Sequence, residues 1–109
     1  MPLRIASFNV NSIKMRLPNV INWIDQSKID IILMQETKTV DENFPFKDFN
    51  KIGFEVIASG QKSYNGVAIA SKYKINEINR ILPFYNQDII EDDQARFLHV
   101  KIESINIIC

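Results

Sequence analysis

The hydrophobic residues of this 109-residue chain first follow a strand, helix, strand arrangement. The apolar run Ile31–Met34 has the length of a strand, and its continuous hydrophobicity predicts a strand covered on both faces. An earlier strand is predicted at Leu3–Phe8. Apolar residues recur at helical spacing between the two strands: Leu17, Val20, Ile21 and Ile24. They predict a helix from about Pro18 to Gln26, with Pro18 in its first turn, where a missing N–H costs little.

After residue 40 the pattern changes to short elements. Val40–Asp48 contains Pro45 between two phenylalanines, which indicates a loop and a short helix. The dipeptide Asn65-Gly66 is a turn signal within the strand series. Five strands are predicted there: Phe54–Ala58, Gly66–Ser71, Ile75–Ile81, Arg96–Ile102 and one beginning at Ile105. No linker, repeat or low-complexity tract divides the chain, so we expect no internal domain boundary.

Polar side chains follow the first two predicted strands. Asn9 and Asn11 come directly after the first strand, and Glu36 and Lys38 follow the second. A right-handed strand–helix–strand crossover makes the two strands parallel, which would bring Asn9 and Glu36 to the same rim of the sheet. A carboxylate together with amide oxygens suits Mg²⁺, a hard cation that takes oxygen ligands.

Three segments resemble the exonuclease III and AP-endonuclease branch of the endonuclease/exonuclease/phosphatase superfamily. They are Ser7–Asn11, Asp30–Lys38, and Gly60-Gln61-Lys62 with Tyr64–Ala68, in the order and spacing of that family. The resemblance implies an α/β fold that is part of a four-layered, DNase I-like α/β sandwich. We expect residues 1–109 to be a truncated N-terminal part of that domain. They would supply about one sheet with its flanking helices, and the apolar face of that sheet would lack a partner layer.

The resemblance also implies a chemistry, namely Mg²⁺-dependent hydrolysis of DNA phosphodiesters at abasic sites or 3′ ends in DNA repair. Glu36 would be the principal metal ligand, Asn9 would share in the metal site, and Asn11 would support it. Mn²⁺ is an alternative ion. The family's catalytic tyrosine, Asp-x-Asn motif and Asp-His pair have no match here, so no catalytic residue is assigned and we expect the chain alone to be inactive.

Basic and aromatic side chains on the predicted rim loops are candidates for contacts with DNA phosphates. The candidates are Lys38, Lys62, Tyr64 and Lys14, with Arg16 as a weaker one. For Arg96 two interpretations stay open. It faces the DNA-binding groove together with these side chains, or it pairs with the acidic segment around Asp92 and Asp93, which we interpret as a solvated loop.

Two other functions stay open. One is a non-catalytic remnant or split half that binds metal or DNA weakly, or that assembles with a complementary C-terminal half. The weaker one is a superfamily phosphatase acting on phosphoinositides or other small phosphoesters. The contexts of Glu36 and Lys62 disfavour it.

Composition tells more about the cellular compartment of the protein than about its reaction. Thirteen basic residues balance thirteen acidic ones, so any nucleic-acid binding would depend on a local patch. A single cysteine, no signal-like start and no apolar run of membrane length favour a cytoplasmic protein without a membrane partner. We interpret Trp23 as core packing, His99 as a structural histidine, and Cys109 as an unreactive thiol.

Overall fold

A computed structural model describes residues 3–80 and 95–109, which form seven strands, two α-helices and one 3-10 turn. The helices and strands, in chain order, are β1 (Ile5–Asn9), α1 (Ile13–Ser27), β2 (Ile31–Gln35), α2 (Phe46–Lys51), β3 (Glu55–Ser59), β4 (Val67–Ser71), β5 (Ile75–Asn79), β6 (His99–Ile102) and β7 (Ile105–Ile108). The 3-10 turn is Asp41–Asn43. Asp92 and Asp93 lie outside the described residues.

Strands β1 to β4 form a mixed sheet, the large sheet, in the order β1-β2-β4-β3. β1 pairs with β2 in parallel, so Ile5 lies opposite Ile31 and Asn9 lies opposite Gln35. β4 is antiparallel to both of its neighbours. The parallel pairing predicted for the first two strands is confirmed. β2 is paired on both edges, and Ile31, Ile32 and Met34 are at most 1% exposed, as its unbroken apolar sequence predicted.

Strands β5, β6 and β7 form a second, antiparallel sheet, the small sheet. One apolar cluster lies between the helices and one face of the large sheet, and it includes Val20, Ile24, Ile32 and Phe49. A second cluster, which includes Ile31, Ile69, Val100 and Ile102, joins the other face of the large sheet to the small sheet. The expectation that one apolar face of the sheet would lack a partner layer was therefore wrong. Strands β5 to β7 form their own sheet and cover the apolar face of the large sheet, so that Ile31 and Ile69 are buried against a second layer.

Helix α1 begins five residues earlier than predicted. Ser12 caps it, with its hydroxyl accepting a hydrogen bond from the Met15 amide at 3.4 Å, and Lys28 ends it in the left-handed conformation with φ 57°. Pro18 therefore lies inside the helix rather than in the first turn. Pro18 is exposed there, and the fully buried Ile13 was the apolar residue that indicated an earlier start.

The prediction that Trp23 is core packing was also wrong. Trp23 is 41% exposed and, together with Phe8 and Arg16, lines an apolar groove of about 250 Å³ between α1 and the edge strand β1. β1 is an edge strand of the large sheet, and Phe8 on it is 44% exposed. Neither described helix is long and apolar enough to cross a membrane.

Candidate metal site at the carboxyl end of β2

The backbone after β2 turns sharply. Glu36 and Lys38 have φ values of 53° and 55°, in the left-handed region, on either side of a fully buried Thr37. We call Glu36-Thr37-Lys38 the site turn. Its carbonyls accept hydrogen bonds from the start of α1, with the Ser12 amide on Glu36 O at 2.8 Å and the Ile13 amide on Thr37 O at 3.1 Å. The site turn is thus tied directly to the helix layer.

The other side of the site turn is held by the turn before β4. The Thr37 amide donates to Gly66 O at 3.1 Å, and the Lys38 amide donates to Asn65 O at 2.8 Å. Gly66 has φ 94°, and a Cβ there would collide with the Thr37 hydroxyl. The backbone of the site turn is therefore fixed from two directions.

Four predicted side chains meet at this turn. Asn9 Nδ2 donates to Glu36 Oε2, and Asn9 Oδ1 accepts from the Asn11 amide at 3.1 Å. Lys38 Nζ donates to Asn11 Oδ1 at 2.6 Å and lies 3.8 Å from Glu36 Oε1. The predicted approach of Asn9 and Glu36 at one rim is confirmed. Their roles toward a metal stay predictions.

The donor set fits a Mg²⁺ ion that keeps most of its waters. The described residues contain no group of three or more His, Cys, Asp or Glu side chains that could hold a metal. Glu36 offers one carboxylate, 45% exposed and therefore open to a hydrated ion. Mg²⁺ typically takes only one or two protein carboxylates together with water and substrate phosphate. In this arrangement Asn9 orients that carboxylate through its amide nitrogen.

A groove of about 390 Å³, the rim groove, opens beside Glu36. Its lining includes Asn9, Glu36, Asn65 and Arg96. The Arg96 guanidinium donates from Nε to Asn65 Oδ1 at 3.3 Å. Arg96, left open in the sequence, therefore lies at the rim groove, next to the candidate metal ligand.

Gln61 was missed as a site residue. Its Oε1 accepts from Asn65 Nδ2 at 3.1 Å and from the Ala95 amide at 2.6 Å. The amide of Gly66 also donates to Ala95 O at 2.8 Å. These bonds join two loops that are far apart in the sequence, with 34 positions between Gln61 and Ala95. The family-like Gly60-Gln61-Lys62 context was the sequence signal for them.

The remaining predicted DNA contacts are exposed but are not drawn into the Glu36 cluster. Lys62 and Tyr64 lie on the turn that leads to Asn65, and Tyr64 is 71% exposed. Lys14 is exposed in the first turn of α1. Arg16, also on α1, lines the groove beside Trp23 instead of the rim groove.

His99 and Cys109, the two residues that could have served another reaction, make contacts within the small sheet and with β2. His99 Nε2 lies 3.1 Å from Asn106 Oδ1 on the neighbouring strand β7. Cys109 pairs with Leu98 through two backbone hydrogen bonds, and its thiol lies 3.4 Å from Gln35 Nε2. Burial raises the pKa of the Cys109 thiol above its usual value, and the hydrogen bond from Gln35 lowers it by less. A thiol with a raised pKa is a poor nucleophile.

The chain is similar to proteins that act on DNA. Residues 6–106 match the model of the Endonuclease/Exonuclease/phosphatase family. The chain is 32% identical over 102 residues to exodeoxyribonuclease III of Haemophilus influenzae, covering 94% of itself and 37% of that protein. An AP endonuclease from Archaeoglobus fulgidus superposes with a TM-score of 0.89 at 43% identity, over 98% of this chain and 40% of that one. A Neisseria 3′ phosphatase solved with a product DNA hairpin gives a TM-score of 0.88 at 32% identity, over 98% and 40%.

These comparisons confirm the predicted fold class, part of the α/β sandwich that the AP endonucleases share. The chain spans about two fifths of the length of the relatives it matches.

Proposed function

This chain belongs to the Endonuclease/Exonuclease/phosphatase family, and on that premise we propose that it is part of a Mg²⁺-dependent enzyme that hydrolyses phosphodiesters of DNA. The substrates would be abasic sites or 3′ ends, and the setting would be DNA repair in the cytoplasm. The observation that carries the proposal is the half-exposed Glu36 carboxylate at the carboxyl end of the central strand β2, oriented by Asn9 beside the rim groove. Ligand sites in α/β sheets are built at such strand ends.

Glu36 would hold the ion directly, Asn9 would fix the orientation of its carboxylate, and Asn11 would support Asn9 through its backbone amide. Mn²⁺ could replace Mg²⁺ on this donor set because both accept oxygen ligands. When bound, the metal would neutralise charge that develops on the phosphate oxygens. Lys38 offsets part of the Glu36 charge before an ion arrives, because its ammonium lies 3.8 Å from Oε1.

DNA is proposed as the substrate because of the relatives and because of the side chains around Glu36. The Archaeoglobus relative is an AP endonuclease, and the Neisseria relative was solved with a product DNA hairpin. Arg96 lies in the rim groove itself, while Lys62 and Tyr64 project from the turn that forms one of its walls. Lys38 and Lys14 would add positive charge at the same end of the sheet. Such side chains position a nucleic-acid backbone without reading its sequence.

A second candidate is a split half or non-catalytic remnant that binds metal or DNA weakly, or that assembles with a complementary C-terminal half. It is supported by the coverage of only about two fifths of the relatives' length. Under this proposal the 109-residue chain is not an effective nuclease by itself. The relation to a 3′ phosphatase that acts on a DNA hairpin favours DNA ends over phosphoinositides as substrates.

The test is a chimera in which this chain replaces the matching two fifths of the Archaeoglobus AP endonuclease. Incision of abasic duplex in Mg²⁺ is measured together with DNA binding across salt concentrations. We expect Glu36→Gln to abolish most cleavage and to retain binding, since it removes the metal's carboxylate and leaves the basic side chains. Lys62→Ala should mainly weaken binding and reduce the salt slope by about one unit.

The isolated chain serves as a second arm, with its own Glu36→Gln variant as the control for contaminating nuclease. Equal loss of binding in both chimera variants would contradict the division of roles. Incision by the isolated chain that depends on Glu36 would refute the split-half candidate. A chimera that cleaves inositol phosphates but not DNA would favour the phosphatase alternative.

A further inference from the structure

Glu36 can orient toward Asn9 only while its backbone keeps a left-handed conformation. Its φ of 53° is unusual for a residue with a side chain, and the same holds for Lys38 at 55°. Such conformations persist where the surrounding structure over-determines them. Contacts from outside the site turn must therefore hold its backbone in place.

The start of α1 cannot do so alone. It supplies the amides of Ser12 and Ile13, which bond to the carbonyls of Glu36 and Thr37, but these contacts leave the other side of the turn unsupported. That side is held by the Asn65-Gly66 turn, whose two carbonyls accept hydrogen bonds from the Lys38 and Thr37 amides. The two turns therefore move as one unit only if they also pack closely.

The packing contact is between Thr37 and Gly66. Thr37 is 1% exposed, and its hydroxyl has no hydrogen-bond partner among the described residues. The hydroxyl lies in the space where a side chain on Gly66 would begin. Because this oxygen makes no hydrogen bond there, Thr37 contributes through its volume, and Gly66 contributes by having none.

We infer that the contact between Thr37 and Gly66 positions the Glu36 carboxylate, so that Gly66 is a positioning residue for the metal site. This deepens the proposed function, since it rests on Glu36 as the metal ligand. Displacing Thr37 away from Gly66 would rotate the adjoining Glu36 and break the bond from Asn9 Nδ2. The orientation of one exposed carboxylate thus depends on a buried contact in a neighbouring turn.

The chain offers a matched control. Gly53 has a similar φ of 85°, but a Cβ there would meet nothing within 4 Å. Gly53→Ala and Gly66→Ala therefore introduce the same kind of backbone strain, and only the second adds a collision with Thr37. A Cβ on Gly66 would also lie 3.3 Å from the Lys38 amide nitrogen, so removing the Thr37 hydroxyl in the Gly66→Ala background isolates the collision with that hydroxyl.

The experiment uses the ¹⁵N-labelled 109-residue chain and follows the side-chain amide signal of Asn9, assigned through its loss in Asn9→Ser. We expect Gly66→Ala to shift this signal toward its position in Glu36→Gln, and Gly53→Ala to leave it unchanged. Thr37→Ala in the Gly66→Ala background should restore it, because the colliding hydroxyl is gone. Mn²⁺ binding, measured by water-proton relaxation, should weaken about ten-fold in Gly66→Ala, as for other residues that orient a metal ligand.

An unchanged Asn9 signal in Gly66→Ala, an equal shift in Gly53→Ala, or no recovery in the double variant would overturn the inference. Circular dichroism checks that each variant is folded. If Gly66→Ala unfolds the chain, Thr37→Ala alone decides, since removing the hydroxyl should loosen the turn and broaden the Asn9 signal. If Mn²⁺ binding is the same in Glu36→Gln as in the unmodified chain, the metal role of Glu36 fails, and the Asn9 signal still decides the inference about Gly66.

Discussion

At the scale of single residues, the Glu36 carboxylate is shared between a neutral and a charged partner. Asn9 donates to Oε2, while the Lys38 ammonium lies 3.8 Å from Oε1 and is also held by Asn11. Both side chains of the ion pair are about one third to one half exposed, so their attraction is modest. A cation that binds Glu36 still has to compete with this ammonium.

We therefore expect Lys38→Gln to increase Mn²⁺ affinity by about two- to five-fold at low salt, the range that an exposed ion pair allows. Glutamine can still donate to Asn11 Oδ1, so the variant removes charge more than shape. Lys74→Gln is the control for net charge. Lys74 is exposed and follows β4, whose last residue, Ser71, pairs with Ile31 at the end of the large sheet away from Glu36. Isothermal titration with Mn²⁺ measures both, and an unchanged or lower affinity in Lys38→Gln would show that the ammonium does not oppose the metal.

The contacts of the site could be predicted from sequence only where regular structure sets them. Asn9 ends one strand and Glu36 follows the next, and the two strands are joined by a helix, so strand geometry alone brought them to one rim. The bonds of Gln61 and Arg96 to Asn65 join loops with no periodic pattern. Their positions depend on how the two turns pack, which no local rule specifies.

At the scale of elements, the junction between β1 and α1 combines a useful side chain with a strained backbone. Ser12 caps the helix, but its φ of 84° lies in a region that favours glycine. Its amide also supports the site turn through Glu36 O. The two properties of Ser12 make opposite contributions to stability.

Substitution of Ser12 by alanine and by glycine should therefore change the free energy of unfolding in opposite directions. Ser12→Ala loses the cap and keeps the strain, so the free energy of unfolding should fall by about 0.5–1 kcal/mol. Ser12→Gly loses the same long cap bond but relieves the backbone strain, so the free energy of unfolding should rise by about 1 kcal/mol. Urea denaturation followed by circular dichroism gives both values, and a loss of stability in both variants would show that the cap outweighs the strain.

Element types were predictable, whereas their limits and their assignment to sheets were less so. The apolar spacing identified α1, but Pro18 suggested a start that the cap at Ser12 and the buried Ile13 place earlier. Each strand from β3 onward was identifiable by its own residues. Their division between two sheets was not, because strands of either sheet have the same alternating or apolar composition.

At the scale of the whole molecule, β1 is one of the two edge strands of the large sheet, and it has no charged residue. β1 reads Ile-Ala-Ser-Phe-Asn, and Ile5 and Phe8 are 47% and 44% exposed on it. Natural edge strands usually carry charges or other features that prevent pairing with a second chain. In contrast, the outer face of the small sheet carries Lys101 with its partners Asn76 and Asn106.

We expect the chain to self-associate through the β1 edge, and Phe8→Lys to increase the monomer fraction at equal concentration. Met15→Lys adds the same charge at a 71% exposed apolar residue of α1, which is not part of the strand, and should have little effect. Sedimentation velocity over a concentration series distinguishes the two variants. A monodisperse unmodified chain, or equal effects of the two lysines, would rule out the edge as the site of association.

The strand order β1-β2-β4-β3 also means that the site cannot form during synthesis until β4 and the turn before it have been made. Gly66 follows Glu36 by 30 residues, which at about 5–20 residues per second is a delay of roughly 1.5 to 6 s. Throughout that interval β1 is the one native partner of β2 that has been made, and the edge that later pairs with β4 remains available to any extended chain nearby. The candidate ligand is therefore made early and positioned late, and the emergence of the Asn65-Gly66 turn is the event that supplies the second support of the site turn.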